Sequence, residues 1–190
     1  MNLVRRQPEP VDWTVDAFLA WEERQEGKHE FDGRHVIPMT GGSRAHQRII
    51  FNLLTLLTRS LDPERFDSVQ EMRILADGKV RYPDVCVVEG RIDPMAGTLS
   101  DATVIFEVLS DATAKSDRVD KLIEYATLPS IRCYILLEQT AIAATVFRRE
   151  LGAGDQTWTA EPVTAGVIAL PEIGTELPLA GLYADLAFGS

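Results

Sequence analysis

The chain has 190 residues, 45% of them apolar and 25% charged, and a formal net charge of −10 at pH 7. A chain of this length buries enough surface to form one domain without disulfides or a structural metal. No apolar run approaches the ~20 residues of a membrane helix, and residues 1–12 lack the apolar segment of a signal peptide. The composition therefore predicts a cytoplasmic protein with no membrane partner, and it leaves a homo-oligomer open.

The net charge and the two cysteines limit the kinds of function that are expected of the chain. A balance of −10 opposes non-specific nucleic-acid binding, which normally needs a basic surface, but it accompanies sites built from clustered carboxylates. Cys86 and Cys133 lie far apart inside strand-like runs, without a Cys-x-x-Cys motif or a Cys/His ligand spacing. This pattern argues against a structural zinc site and predicts two small buried side chains instead.

The predicted elements follow the hydrophobic periodicity and the turn residues in chain order. They are an N-terminal arm over residues 1–13, a helix over 15–25, a strand pair over 29–39, a helix over 44–61, strands over 66–75 and 80–88, a loop over 90–101, a strand over 103–109, a helix over 115–127, strands over 131–137, 142–149, 157–164 and 167–170, and a helix over 179–188. The expected caps and turns are Thr14, Ser43, Asp32-Gly33, Asp77-Gly78 and residues 152–155. This order predicts a single α/β domain over residues 14–190, with a mixed sheet flanked by helices.

The helix predicted over residues 115–127 has two distinct faces. Apolar residues repeat at the spacing of a face that packs on a core, and they are Val119, Leu122, Ile123 and Ala126. A second face carries Asp117, Lys121 and Tyr125, four residues apart, together with Glu124. On spacing alone, the simplest interpretation of Asp117 and Lys121 is a solvated ion pair worth only ~0.3–0.5 kcal/mol.

Two acids lie within the most hydrophobic strands. Asp84 follows Pro83 and precedes four apolar residues, and Glu107 has two apolar residues on either side. A carboxylate in a buried strand costs several kcal/mol unless it is paired or binds a metal, so both acids are candidates for a functional site. The alternatives are an exposed strand end for Asp84 and an arginine partner for Glu107.

Carboxylates that strands hold close together suit a hard cation such as Mg²⁺, which takes oxygen ligands. Such an ion polarises a phosphoryl oxygen and lowers the pKa of water, and a nearby lysine stabilises the charge that develops on phosphate. Lys121 is the candidate for that lysine, because it lies on the helix that directly follows the strand of Glu107.

Several short motifs occur in a specific order along residues 14–185. They are Glu30-Phe31-Asp32-Gly33, Ser43 with His46, Arg81-Tyr82-Pro83-Asp84-Val85, Phe106-Glu107-Val108-Leu109-Ser110, and then Asp117, Lys121, Tyr125 and Tyr134. Together they resemble the Uma2 family, a group of proposed endonucleases of the PD-(D/E)XK type. The resemblance implies a restriction-endonuclease-like core, in which helices flank a central mixed β-sheet.

The same resemblance implies roles for four residues. Asp84 and Glu107 would be the ligands of Mg²⁺ or Mn²⁺, and Glu30 would join them in the acidic cluster. One position departs from the parent nuclease pattern, which has a lysine two residues after the acid, where this chain has Leu109. Related families carry that lysine on the following helix, which points to Lys121.

Two functions from different classes stay open. The first is a metal-dependent endonuclease that hydrolyses DNA, and the second is a non-catalytic binding or assembly module that retains the nuclease fold. Leu109 and the charge of −10 favour the second. For the first, Lys115, Arg118 and Lys121 on one helix predict weak, local, metal-dependent contact with DNA. His46, on the apolar side of its helix, is interpreted as a core histidine.

Overall fold

The computed structural model describes residues 9–39, 41–109, 117–150 and 157–188. The helices in these ranges are α1 (Val15–Glu22), α2 (Arg44–Ser60), α3 (Asp117–Ala126) and α4 (Leu179–Leu182), with a 3-10 turn at Pro171–Ile173. The strands are β1 (His29–Phe31), β2 (Val36–Pro38), β3 (Phe66–Gln70), β4 (Arg73–Ala76), β5 (Lys79–Arg81), β6 (Val85–Glu89), β7 (Thr98–Leu99), β8 (Ala102–Leu109), β9 (Cys133–Glu138), β10 (Ala144–Arg149), β11 (Trp158–Val163), β12 (Val167–Leu170) and β13 (Thr175–Pro178).

The strands form two principal sheets and one short pair. The larger sheet has the order β11-β10-β9-β8-β6-β3, and it is mixed because β8 and β9 are parallel while its other neighbours are antiparallel. The second sheet has the order β2-β1-β5-β4-β7, and β12 pairs with β13. The predicted α/β class with a mixed sheet and flanking helices is confirmed, but the predicted single sheet is divided into two.

The division occurs in one long bent hairpin. The strand predicted over 66–75 is interrupted after β3 at Glu71, which has a φ of 48°, and the strand predicted over 80–88 is interrupted at residues 82–84. β3 pairs with β6 in the larger sheet, and β4 pairs with β5 in the smaller one. Pro83 has no N–H for a ladder, and the Glu71 N–H donates to the carbonyls of Pro83 and Asp84 across the bend. The bend therefore places Asp84 where the two sheets meet.

The expected N-caps of the first two helices are confirmed. The Thr14 hydroxyl accepts from the N–H of Ala17 at 3.2 Å, and the Ser43 hydroxyl accepts from the N–H of His46 at 3.1 Å. Each bond satisfies one backbone donor that the first helical turn leaves unpaired. The Ser43 cap fixes where α2 begins, and it thereby fixes the position of His46 in the first turn.

The N-terminal segment is partly bound to the domain. Pro10 forms an isolated bridge with His35, and the N–H of Val11 donates to the Arg34 carbonyl at 2.6 Å. Val11 and Trp13 pack against the core beneath α1. The last residues of the predicted arm are therefore held against the first hairpin, whereas residues 1–8 lie outside the described ranges, as does the turn predicted over 152–155.

The larger sheet separates two hydrophobic cores. On one side it packs against α2 and the C-terminal segment, through residues that include Ile49, Leu53, Val85, Phe106 and Leu179. On the other side it packs against α3 and the smaller sheet, through residues that include Ile74, Cys86, Ile105, Tyr125 and Tyr134. Both cysteines are free and buried, as the sequence predicts. Because β8 is buried along its whole length, every polar group on it needs a partner inside the protein.

The predicted orientation of α3 is wrong. Val119 and Ile123, which the periodicity assigns to the core, are 60% and 59% exposed, whereas Glu124 is 1% exposed and Tyr125 is fully buried. Leu122 packs toward the second core, whereas its neighbour Ile123 does not. The physical reason is that the polar face finds charged partners in the sheets, described below, and their attraction outweighs the burial of two aliphatic side chains.

This orientation predicts how substitutions on α3 affect stability. Val119→Gln and Ile123→Gln should each change the free energy of unfolding by less than ~0.5 kcal/mol, as exposed positions do. Tyr125→Ala should lower it by ~3–5 kcal/mol, because a large buried ring leaves a cavity. Urea unfolding followed by circular dichroism measures all three. If substitution at Val119 or Ile123 lowered the free energy of unfolding as much as substitution at Tyr125, the result would contradict this orientation and support the one that the periodicity predicts.

Smaller differences occur near the C-terminus and in the predicted loop over 90–101. That loop contains the two-residue strand β7, which adds to the edge of the smaller sheet in parallel with β4. The predicted terminal helix over 179–188 is only the four-residue α4, and the strand β13 before it was not predicted. Among the described residues, no helix is long and apolar enough to span a bilayer.

Candidate functional site

Asp84 lies at the bend of the long hairpin, beside β8. The antiparallel β6–β8 register pairs Val85 with Phe106, so Asp84, the residue just before β6, faces the position of Glu107 on β8. The Oδ2 atom of Asp84 accepts a hydrogen bond from the N–H of Val108 at 2.7 Å. The exposed strand end that the sequence allowed for Asp84 is therefore not its environment, because only 14% of its side chain is exposed beside the neighbouring strand.

Glu107 is a buried carboxylate in the middle of the larger sheet. Its Oε1 atom accepts from the Nζ of Lys121 at 2.9 Å and from the hydroxyl of Tyr125 at 3.3 Å. Burial raises the pKa of Glu107 to about 7, and the negative charges of Asp84 and Glu30 act in the same direction against the attraction of Lys121. The partner of Glu107 is thus a lysine rather than the arginine that the sequence left as an alternative.

Lys121 returns from α3 to the sheet, and its side chain is only 12% exposed. Its Nζ contacts Oε1 of Glu107 and, at 3.4 Å, Oε1 of Glu30. Burial alone opposes the charged form, but the two carboxylates outweigh it and hold the pKa of Lys121 well above its ordinary value. The lysine is therefore a buried cation between two acids, and the interpretation of a solvated pair with Asp117 does not describe it.

Glu30 joins the site from β1 and is held by the smaller sheet. Its Oε2 atom accepts from the Nη1 of Arg81 at 3.1 Å, and its Oε1 atom accepts from the N–H of Tyr82 at 3.3 Å. Through Lys121 it is linked to Glu107, whose pKa it helps to raise. The structure thus brings Glu30, Asp84, Glu107 and Lys121 together, while their catalytic roles stay predictions.

A second ionic cluster supports Glu30 and was not predicted from the sequence. The guanidinium of Arg81 donates from Nε and Nη2 to the two carboxylate oxygens of Glu124, at 2.7 and 2.9 Å. Lys79 donates to Glu124 as well, at 2.9 Å. Paired, two-point bonds between an arginine and a carboxylate fix both groups in one geometry. The sequence signals for it are that Arg81 opens the motif containing Asp84 and that Glu124 shares the polar face of its helix with Lys121.

His46 also belongs to the site, although the sequence interpretation made it a core residue. Its Nε2 atom lies 3.2 Å from Oδ2 of Asp84, and its ring is mostly buried. Burial opposes the charged imidazole, but the hydrogen bond with Asp84 and the negative charge of Asp84, Glu107 and Glu71 raise the pKa of His46 above its ordinary value. The signal that could have placed it here is the Ser43 to His46 motif quoted above.

The two acids fit a cation that keeps much of its water. The N–H of Val108 and the Nε2 of His46 both contact Oδ2 of Asp84, and both hydrogen bonds to Glu107 end on Oε1. Each carboxylate therefore has a second oxygen that accepts no hydrogen bond from the described residues. The described residues contain no group of three or more His, Cys, Asp or Glu side chains that forms a complete metal cage. Mg²⁺ is usually bound by one or two carboxylates together with water and substrate oxygens, which agrees with this donor set.

Of the three basic residues predicted to contact DNA, the structure describes the side chain of Lys121. Lys121 faces the interior acids, Lys115 lies outside the described residues, and nothing is described of the side chain of Arg118. Among the described residues, Lys121 places its ammonium group between Glu30 and Glu107, beside the positive charge of Arg81 on Glu30.

The fold is shared with a solved structure, and the sequence has relatives of similar length. The crystal structure of "a putative nuclease belonging to DUF820 from Anabaena variabilis" matches with a TM-score of 0.74 at 16% identity, covering 90% of this chain and 98% of that one. The "Uncharacterized protein sll1609" of Synechocystis sp. is 30% identical over 151 residues, 76% of this chain and 84% of the relative. The "Uncharacterized protein slr1290" of the same organism is 29% identical over 178 residues, 91% of this chain and 92% of the relative.

A family model spans nearly the whole domain. The Uma2 model, described as "Putative restriction endonuclease", matches residues 15–180. This span contains every element of the site, from Glu30 on β1 to Lys121 on α3. By this match, the chain belongs to the Uma2 family.

Proposed function

We propose that the protein is a metal-dependent endonuclease that hydrolyses phosphodiester bonds in DNA, with Asp84 and Glu107 holding Mg²⁺ or Mn²⁺. The observation that carries the proposal is a pair of largely buried carboxylates, one on β8 and one at the bend before β6, each anchored through one oxygen, with the ammonium of Lys121 2.9 Å from Glu107. A buried acid pair with a buried lysine is expensive to maintain, and such groups concentrate at functional sites. The family description supports the same class of reaction.

The residues of the chain would contribute to catalysis in two ways, by supplying charge and by holding other groups in position. A bound divalent ion would supply Lewis-acid polarisation of the phosphodiester. Lys121 would place a fixed positive charge beside the reacting phosphate, in a site where low exposure strengthens electrostatic stabilisation. Glu30 would keep the lysine in place from the opposite side of its ammonium group. These parts do not depend on a lysine at Leu109, which packs in the second core.

The non-catalytic module is the second candidate function. The net charge of −10 supports it, because a strongly acidic protein attracts DNA only through local contacts. The arrangement around Lys121 supports the nuclease more strongly, since the lysine that Leu109 replaces in the parent pattern has a counterpart 2.9 Å from the same acid. Weak, metal-dependent binding of DNA with a shallow dependence on salt is expected for the nuclease.

The experiment that tests the proposal replaces both acids. In Asp84→Asn with Glu107→Gln, the heat of Mn²⁺ binding in isothermal titration calorimetry should disappear, because both anionic ligands are lost. The fold should persist, since the introduced amides keep oxygens that accept from Val108 and Lys121. The matched control, Asp101→Asn with Glu89→Gln, changes two exposed acids and should bind Mn²⁺ like the parent.

Two results would count against the proposal in different ways. Unchanged Mn²⁺ affinity in the double variant would remove Asp84 and Glu107 as ligands. A parent protein that binds Mn²⁺ but cleaves no single-stranded, duplex or branched DNA with either metal would favour the binding module. Circular dichroism of each variant separates a lost site from a lost fold.

A further inference from the structure

The contact between His46 and Asp84 is the feature of the site that the proposed chemistry does not use. Two groups contact the same oxygen of Asp84: the N–H of Val108 donates to Oδ2 at 2.7 Å, and the Nε2 of His46 lies 3.2 Å from it. Two donors from different directions fix the plane of a carboxylate and decide which oxygen points away. In this arrangement the oxygen that is turned away is Oδ1, the one left for a cation.

The place of the His46 ring is set by a glycine. A Cβ atom at Gly42 would lie 2.3 Å from Nδ1 and 2.6 Å from Cγ of His46, distances that no side chain tolerates, whereas a Cβ at Gly41 would meet nothing within 4 Å. The imidazole therefore packs directly on the backbone at Gly42. Neither glycine has a positive φ, so alanine fits the backbone conformation at both positions.

The ring occupies this place at a cost. Among the described residues, Nδ1 of His46 is buried and has no hydrogen-bond partner. A buried polar atom without a hydrogen-bond partner is unfavourable. The position of the ring beside Gly42 is therefore not held by a hydrogen bond of Nδ1. The bond that the ring does make is the one from Nε2 to Asp84.

We propose that His46 is a positioning residue for Asp84, and that Gly42 is the residue that admits its imidazole beside the carboxylate. The inference rests on the proposed function, in which Asp84 binds a divalent cation. Groups that orient a metal-binding carboxylate by a hydrogen bond are part of the site, because a misdirected carboxylate binds the ion less tightly. The role differs from that of a core histidine, which would affect stability and leave cation affinity unchanged.

The test compares Gly42→Ala with Gly41→Ala, using Mn²⁺ as the probe. Gly42→Ala should displace the ring and weaken Mn²⁺ binding ~10–100-fold, the usual loss when an orienting group is removed. Gly41→Ala, with open space around the new methyl group, should bind Mn²⁺ as the parent does. Long-range ¹H–¹⁵N NMR spectra of the imidazoles should show a shifted His46 resonance in the first variant only.

A second pair of variants tests the hydrogen bond itself. His46→Gln keeps a donor at the reach of Nε2 and should retain Mn²⁺ affinity within a few-fold, whereas His46→Met has similar bulk without a donor and should lose ~10–100-fold. In a cleavage assay, His46→Met should lower kcat and should require more metal ion for activity, with little change in the KM for DNA. If Gly42→Ala does not fold, these two His46 variants still test the inference.

The outcomes separate this inference from the proposed function. If the parent binds Mn²⁺ and both His46→Met and Gly42→Ala bind it equally well, the positioning role is overturned and the metal site stands. If the parent binds no Mn²⁺, the proposed function falls and the positioning role falls with it. Equal loss in His46→Gln and His46→Met, with folds intact, would show that the imidazole acts by something other than its Nε2 donor and would overturn the inference as stated.

Discussion

Lys121→Met is expected to lower the free energy of unfolding by ~3–5 kcal/mol at neutral pH, the usual cost of removing one partner from a buried ion pair. The reason is that Glu30 and Glu107 would lose the cation that lies between them, so that Glu107, whose pKa burial already raises, would be left without its partner or would have to take up a proton. Urea unfolding at pH 7 measures the loss. Lys28→Met is the matched control, because Lys28 pairs with Glu71 at 3.3 Å but is 47% exposed, and its loss should stay below ~1 kcal/mol.

The same variant separates the chemical role of Lys121 from its structural role. DNA cleavage at a temperature where the variant is folded should fall ~10²-fold or more, the scale for losing one charge-stabilising group. Affinity for Mn²⁺ should not fall, since the ammonium competes with a cation for the charge of Glu107. A folded Lys121→Met protein that cleaves as fast as the parent would show that the lysine only neutralises buried acids.

Arg81→Met is the second substitution with a large expected effect, again ~3–5 kcal/mol at neutral pH. It would remove the two bonds to Glu124 and the bond to Glu30, leaving two carboxylates without their principal partner. Arg65→Met provides the control, because Arg65 lies 3.6 Å from Glu89 and is 63% exposed, so its removal should cost less than ~1 kcal/mol.

The effect of Arg81→Met should depend on pH in a defined direction. Burial opposes the charged form of Glu124, but the hydrogen bonds from Arg81 and Lys79 outweigh it and hold the pKa of Glu124 below its ordinary value of 4.5. A depressed pKa stabilises the fold above the ordinary value, and that contribution is lost as the pH falls through the lower, folded-state pKa. The difference in unfolding free energy between parent and variant should therefore be largest near pH 7 and should shrink below pH ~4.5. A difference that is constant from pH 7 to pH 3 would contradict this account.

The acids of the site could be found from the sequence because burial of charge leaves a local signature. Asp84 and Glu107 each interrupt an apolar strand, and the strand pattern alone marks them as costly. The position of Lys121 followed from motif order rather than from periodicity. For the helix that carries it, the apolar spacing of Val119 and Ile123 pointed to the opposite face from the one that is buried.

The remaining features depend on partners that are distant in sequence. Glu124 lies 43 residues from Arg81, so no local pattern indicates that this pair will turn the polar face of α3 inward. The bend in the long hairpin was not predicted, because the division of one sheet into two depends on the pairing of both strands. His46 shares the apolar stripe of α2, where a core histidine and a histidine that reaches Asp84 have the same spacing.

The spread of the site along the chain has a consequence for synthesis on the ribosome. Glu30 and Lys121 are 91 residues apart, and Asp84 and Glu107 lie between them. A nascent chain that has emerged only as far as β8 contains all three acids but not the lysine on α3. In any sheet that forms at that stage the acids lie together without Lys121, and the smaller sheet lacks Glu124 to pair with Arg81. The complete constellation therefore appears only after about two thirds of the protein has been translated, so a truncated product that ends before α3 would carry the acids without the assembled centre.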